Sequence, residues 1–495
     1  MDAVVANAVV AIDQFMGVVQ PALEGLSPYA ELLTPLKFEA ANAYLSTVAA
    51  GAGLPLDQVR YVGCLFGAYP LSFVFSLLPS PALKNIFSLV TGVALAQFVF
   101  GASWVHTLVM SLSTYLLVCF APAKYAPRIV FLWNMVYISA SHLYRLYTDY
   151  MGWNLDVTGP QMLLVIKLTA FAYNYFDGVV DIKRIETPTE NKTLQKVYAG
   201  RKDLSISKLP SVLEFFAYVY CFPTFLAGPA FEIREYLDVV NGTKKLGSGC
   251  TLAAISKLLV GVLFMGLMVV FGAKYPITLL YSPDELPWYQ RILTIYVTLF
   301  FVKSKYYSAW KIAEGATVLC GFGFEGFDKE GKSKGWNGVS NMDVLGFELP
   351  LSLRDASRAW NKGTQNWLQR YVYERSGNSL MATYFVSAFW HGFYPGYYIF
   401  FMSIPLATNV NRLAFKRLRP WFLDSAASKA VYDVVGLVAS ILTLHYLVMP
   451  FQALSWENSI QALTNVKFAG HIILVVLYVV FSLVPMRKIK DKKTE

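Results

Sequence analysis

Between residues 376 and 411 the chain contains no Asp, Glu, Lys or Arg, and one histidine, His391, falls near the middle of that stretch. A helix needs only about 20 apolar residues to cross a bilayer, so an uncharged run of this length has to be divided, and Pro395-Gly396 marks the expected break between two helices. The pattern recurs along the chain. Residues 61–82 carry no charge, and residues 85–123 carry none except the titratable His106, a length that calls for two further spans. Predominantly apolar runs at 129–144, 162–180, 212–231, 258–273, 292–302, 434–456 and 468–486 bring the expected total to about eleven membrane-spanning helices.

Composition points the same way. Charged residues make up 15% of the chain and hydrophobic residues 56%, against about 25% charged in soluble domains, so water is not the main solvent. The expected architecture is therefore an all-α polytopic membrane protein, one membrane-embedded domain over residues 1–495. No basic segment precedes the first apolar stretches, and a cleaved signal peptide is not expected.

Several function classes drop out. The five cysteines, Cys64, Cys119, Cys221, Cys250 and Cys320, lie far apart, with neither a CxxC pair nor a zinc-ligand spacing. The net charge of +10 sits in loops between apolar runs, which fits anionic headgroups and cytosolic loops rather than nucleic acid. By that bias the segment 181–207, with Lys183, Arg184, Lys192, Lys196, Arg201 and Lys202, faces the cytosol, as does the basic tail 487–495. The tail ends in KKTE, which resembles the dilysine signal that retains membrane proteins in the endoplasmic reticulum; a plain stop-transfer flank would carry the same charges. Residues 326–333 fit the phosphate-loop pattern GxxxxGKS, but the KGWNGVSN that follows reads as turn rather than helix. Two glycosylation patterns begin at Asn191 and Asn241, the first in the segment placed in the cytosol. No histidine is followed four residues later by Asp, which removes support for soluble-type acyltransferases.

An ionisable group deep in an apolar run is costly and is a functional candidate by default. His106, His142, His391, His445 and His471 all lie in hydrophobic segments, so depth does not choose among them. His391 differs in being followed by Gly392 in FWHGFYPG, because interrupted helices at membrane depth are tolerated where they line a cavity. A neutral imidazole there can take a proton from a hydroxyl. Asn361 lies in SRAWNKGTQNWLQRYVYER, where Trp360, Trp367 and Tyr371 share a helical face and Arg354, Arg358, Lys362, Arg370 and Arg375 add positive charge. The pattern fits a lipid-interface helix with phosphate attraction, and equally an anchoring helix without chemistry.

Further segments carry a family likeness. They are DVTGPQM at 156–162 with Lys167 nearby, TFLAGPAFE at 224–232, KYYSAWKIAEG at 305–315, CGFGFEGF at 320–327, WNKGTQNWLQRYVY at 360–373 and FWHG at 389–392. In this order, over residues 149–398, they resemble the membrane-bound O-acyltransferase superfamily, specifically its lysophospholipid acyltransferase branch. The resemblance places Asn361 on the family's active-site asparagine and His391 on its active-site histidine. It implies spanning, re-entrant and amphipathic helices around a catalytic tunnel, with acyl-CoA as acyl donor, a lysophospholipid as acceptor, and no metal or permanently bound cofactor. His391 would deprotonate the free glycerol hydroxyl for attack on the thioester. Candidate substrate-binding residues are Arg354, Arg358, Trp360, Thr364, Trp367 and Tyr371, with Trp390 beside the histidine and Tyr307 and Trp310 upstream. Diacylglycerol and sterol acyltransferases of the superfamily carry a different residue pattern before the asparagine than Ala359-Trp360, and protein-acylating members lack the TGPQM and AGPAFE combination. Acylation of a neutral lipid or a protein is the enzymatic alternative. A transporter is the non-enzymatic one, for which two similar halves with paired broken helices are expected. The implied setting is a multi-pass protein of the endoplasmic reticulum membrane with a cytosolic C-terminus, compatible with a homodimer.

Overall fold

A computed structural model describes residues 34–486 apart from 153 and 284, together with isolated positions between 10 and 32. The tail 487–495, with its KKTE ending, lies outside the described residues. The described chain is helical, and extended pairing within it is confined to one antiparallel bridge between Phe327 and Ser333. That bridge closes a tight turn in which the Asp328 carboxylate accepts from the Glu330 and Lys332 backbone N–H groups, at 2.9 and 2.8 Å. The GxxxxGKS match thus has neither a strand before it nor a helix directly after it, the two elements a phosphate loop requires.

Two compact units divide the chain, Met1–Val260 with Ala309–Ser340, and Gly261–Ser308 with Asn341–Glu495. The first contains the long helices Leu56–Leu77, Pro81–Phe100, Val105–Phe120, Ala126–Thr148 and Thr158–Val179. Its centre is aromatic. Phe75, Phe171, Phe215, Tyr218, Tyr220, Phe222, Tyr236 and Phe322 are all buried, and Phe322 stacks on Phe231 and Tyr236 with centroids 4.9 and 5.8 Å apart. Four of these residues belong to the run 212–231, expected to span the membrane as one helix. Instead the run forms two short helices, Val212–Val219 and Phe222–Phe225, ending in the cis Gly228-Pro229 bond. Its apolarity comes from burial inside protein, and Pro223 and Pro229 deny it a continuous backbone ladder. Carbonyls opened at the first break are taken up by Lys167 of the TGPQM helix, whose Nζ donates to the Tyr218 and Val219 oxygens at 2.5 and 3.2 Å.

The basic helix Lys192–Leu204 begins at Asn191, whose side chain accepts from the Thr193 and Leu194 amides. It is anchored by Arg201, which bridges Asp177 and Asp181. Burial alone would lower the pKa of that guanidinium, but its hydrogen bonds and charge pairing with the two carboxylates outweigh burial and raise it.

The second unit contains Leu380–His391, Pro395–Leu413, Ala426–Ala453, Trp456–Asn465 and Ala469–Leu483. Leu280, Ile295, Leu299, Met449 and Leu463 form one of its cores, and Ala407, Val410, Leu447 and Leu474 another. The expected division of 376–411 is present: a helix ends at His391 and the next starts with Pro395 at its first position.

Among the described residues four stretches are long and apolar enough to cross a membrane: Leu56–Leu77, Pro81–Phe120, Cys250–Lys274 and Ala426–Ala453. The pair Trp456–Asn465 and Ala469–Leu483, bent by 69°, makes a fifth if it is one span. Most of the stretch 85–123, expected to hold two spans, lies in the helices Pro81–Phe100 and Val105–Phe120, joined by the short turn Gly101–Trp104. Leu252, Leu259, Leu263, Val269 and Val270 are exposed, as side chains facing lipid would be.

Candidate active site

His391 closes the helix Leu380–His391, which opens where Ser379 accepts the Ala382 N–H at 3.2 Å. The helix stops there because Gly392 adopts φ 117°, ψ −159°, a conformation that side chains with a Cβ rarely take. Gly396 then permits a close approach: a Cβ on it would lie 2.0 Å from the Pro450 carbonyl oxygen, and its N–H donates to the Leu454 oxygen at 2.8 Å. That packing brings the end of the Ala426–Ala453 helix against the break and places Phe451 beside the imidazole. Four rings surround His391: Trp390, Phe401, Phe451 and Tyr397, at centroid separations of 4.7, 5.0, 5.2 and 5.7 Å. His391 Nδ1 lies 2.7 Å from the Ser387 carbonyl oxygen. A carbonyl only accepts, so Nδ1 carries the proton in the neutral ring and the lone pair falls on Nε2. An imidazole oriented this way is equipped to act as a base through Nε2.

Two of the other histidines are engaged on both ring nitrogens. His471 is held on both nitrogens, by the Tyr446 hydroxyl at 2.5 Å and the Ser403 hydroxyl at 3.0 Å. His445 donates from Nδ1 to the Ile441 oxygen, and its Nε2 receives the Lys303 ammonium at 3.2 Å, which occupies the lone pair a base would use. His106 pairs through Nδ1 with the Tyr137 hydroxyl at 3.0 Å, and His142 is buried on the Ala126–Thr148 helix.

Asn361 stands at the start of the helix Lys362–Trp367, with left-handed backbone angles φ 43°, ψ 54°. Asparagine tolerates that region better than most residues. The helix passes directly into a π-helical turn, Leu368–Tyr373, a distortion frequent at functional sites. This turn packs on the Leu380–His391 helix. Buried Trp367 meets buried Trp390 at 6.0 Å, so the asparagine and histidine segments share one aromatic contact.

The remaining predicted residues divide. Thr364 is buried on the helix Lys362–Trp367 and Tyr371 on the π-helical turn that follows it, with the Arg375 guanidinium 5.9 Å from the Tyr371 ring. Arg354 and Arg358 are exposed on the helix Leu353–Ala359, open to an anionic group. Trp360 packs against Phe347 at 4.7 Å and Tyr307 at 6.0 Å. Tyr307 is wholly buried and donates its hydroxyl to the Glu348 carboxylate, which also pairs with Lys303 at 2.7 Å. It is thus a support behind Trp360. Trp310, on the same long helix Trp288–Leu319, is half-buried and belongs to the first unit.

Asn341, Glu348 and Phe451 complete this neighbourhood and were not singled out by sequence. Asn341 ends a Gly- and Lys-rich stretch that reads as loop, and Phe451 is one apolar residue in an apolar run. No group of three or more His, Cys, Asp or Glu is gathered as for a metal ion among the described residues.

Residues 146–449 match the membrane-bound O-acyltransferase family. The chain belongs to that family. Among curated relatives, it is 30% identical to a lysophospholipid acyltransferase of Schizosaccharomyces pombe, over 89% of each chain. It is 29% identical to membrane-bound glycerophospholipid O-acyltransferase 2 of Mus musculus, over 90% of this chain and 88% of that protein. It is also 28% identical to a lysophospholipid acyltransferase of Saccharomyces cerevisiae, over 89% of this chain and 76% of that one.

Proposed function

We propose that the protein is an acyl-CoA-dependent lysophospholipid acyltransferase in which His391 is the general base and Asn361 assists at the reacting carbonyl. The observation that carries the reading is the His391 ring, held within four aromatic side chains with its Nδ1 proton committed to Ser387. Nε2 takes the proton of the free glycerol hydroxyl as that oxygen attacks the thioester carbonyl. The Asn361 amide donates to the oxygen on which negative charge develops. The C–S bond then breaks, the acyl group stays on the glycerol oxygen, and the imidazolium returns its proton to the departing CoA thiolate. General-base assistance accounts for about 10²- to 10⁴-fold, and holding two amphiphiles in register supplies much of the rest.

The names of the relatives support a lysophospholipid acceptor, and exposed Arg354 and Arg358 offer charge for a phosphate. On this reading the motif-bearing core 149–398 belongs to one membrane-embedded domain with about eleven spans, by the 20-residue requirement. A tunnel leads acyl-CoA from the cytosol and lysophospholipid from the bilayer, in an endoplasmic reticulum membrane; a homodimer is compatible with it. Acyl transfer by purified protein with labelled acyl-CoA tests the reading. The acceptors are lysophosphatidylcholine, lysophosphatidylethanolamine, lysophosphatidylserine, lysophosphatidylinositol and lysophosphatidic acid, against diacylglycerol, a sterol and a peptide. Transfer confined to one of the last three would overturn the acceptor assignment.

A further inference from the structure

An asparagine at a helix N-cap ordinarily spends its side-chain oxygen on the backbone N–H two or three positions on. Asn361 holds that position for the helix Lys362–Trp367 but makes no such bond. The amides are satisfied from elsewhere. The Lys362 N–H donates to the Asn341 backbone oxygen at 2.9 Å, and the Gly363 N–H, the usual partner of an N-cap side chain, donates to Asn341 Oδ1 at 3.0 Å. Asn341 is itself buried. Two further contacts hold the same strip of chain: the Asp343 N–H donates to the Ala359 oxygen at 2.9 Å, and Phe347 packs on Trp360. Residues 341–347 therefore cradle residues 359–363 on both sides of Asn361.

We infer that Asn341 is a positioning residue, a substitute cap that satisfies the helix amides in place of Asn361 and so leaves the Asn361 side-chain amide for the substrate carbonyl. This rests on the proposed role of Asn361. Without the substitute, the Gly363 N–H would compete for the Asn361 side-chain oxygen, and the residue would turn toward an ordinary cap geometry. The bond crosses twenty-two positions of sequence, so no local pattern announces it.

Asn341→Leu, close in shape but without an acceptor, and Asn341→Asp, which keeps one, test the inference in the parent enzyme and in an Asn361→Ala background. In the parent, Asn341→Leu should lower kcat about 10-fold or more with KM for both substrates within about 2-fold, while Asn341→Asp keeps most of the rate. In the Asn361→Ala background, Asn341→Leu should cost nothing further. A loss of equal size in both backgrounds, or an equal loss with Asp and Leu, would show a purely structural role and overturn the inference. If Asn361→Ala were as active as the parent, the functional reading itself would fall, an outcome distinct from failure of the substitute cap.

Discussion

At the residue scale the structure separates five histidines that the hydropathy of their segments leaves alike. His391 was recognisable because Gly392 follows it, and the structure supplies the physical reason: only a residue at ease at φ 117° ends the helix at that position. What sequence did not show is the partner on Nδ1, since a bond to the carbonyl four residues back exists only once the helix is formed. An imidazole that acts as base has no substitute in Ala or Gln. His391→Ala and His391→Gln are therefore expected to fold and accumulate normally yet lose acyl transfer by about 10² or more. Gln in place of His106, His142 or His471 should retain more activity when amounts of folded protein are equalised. Asn361→Ala should also lose most activity, and because residues acting as a unit are not additive, the His391 and Asn361 double variant should be scarcely worse than either single one. Single-turnover acyl transfer, normalised to folded protein, reads all of these. Substantial turnover by His391→Gln would rule the proposed base out.

At the scale of elements, apolar length was a good guide to helices and a poor one to their surroundings. The run 212–231 reads as a span and is instead a pair of short helices in a buried aromatic core; a window average does not distinguish lipid from protein as the neighbour. The break at Pro395-Gly396 was legible from Pro395, but Gly396 contributes separately, because its missing Cβ lets Pro450 approach. Gly396→Ala should thus move Phe451 away from His391, lowering both the thermal midpoint in detergent and kcat, while Gly200→Ala, exposed on the helix Lys192–Leu204 with open space for a Cβ, leaves kcat unchanged. Glu348 is the corresponding anchor on the asparagine side, joining Lys303 and Tyr307 beneath Trp360. Removing one member of a buried ion pair strands the other, at about 3–5 kcal/mol. Glu348→Ala is expected to be strongly destabilised in thermal inactivation assays. The paired change Lys303→Met with Glu348→Leu should recover much of the stability, since no uncompensated charge remains. Equal damage from the single and paired changes would contradict this account.

At the scale of the whole molecule, orientation follows from where the positive charge lies. The helix Lys192–Leu204 exposes Lys192, Lys196 and Lys202, and Arg201 fastens it through Asp177 and Asp181, so its charged surface is held in place rather than trailing in a loose loop. Basic residues close to membrane spans are retained on the cytosolic side. The same bias applies to Arg487, Lys488, Lys490, Lys492 and Lys493 in the tail. Both segments should therefore share one side of the membrane; the proposed residence in the endoplasmic reticulum, with KKTE as its retention signal, predicts that Lys492→Ser with Lys493→Ser lets protein leave that membrane without changing its specific activity, read by fractionation and assay together. Orientation is measured with a membrane-impermeant maleimide on sealed microsomes. Cys119 is the exposed native thiol among the five cysteines and is first replaced by Ser to remove background, after which one cysteine is introduced at Lys196 or at Thr494. Each of these proteins, compared with the Cys119→Ser parent that still holds the other four native cysteines, should gain label from the cytosolic face without detergent and little more when detergent is added. Labelling of both positions only after detergent would invert the topology. Labelling of one but not the other would place an odd number of crossings between residues 196 and 494, and would overturn the shared-side assignment on which cytosolic delivery of acyl-CoA depends.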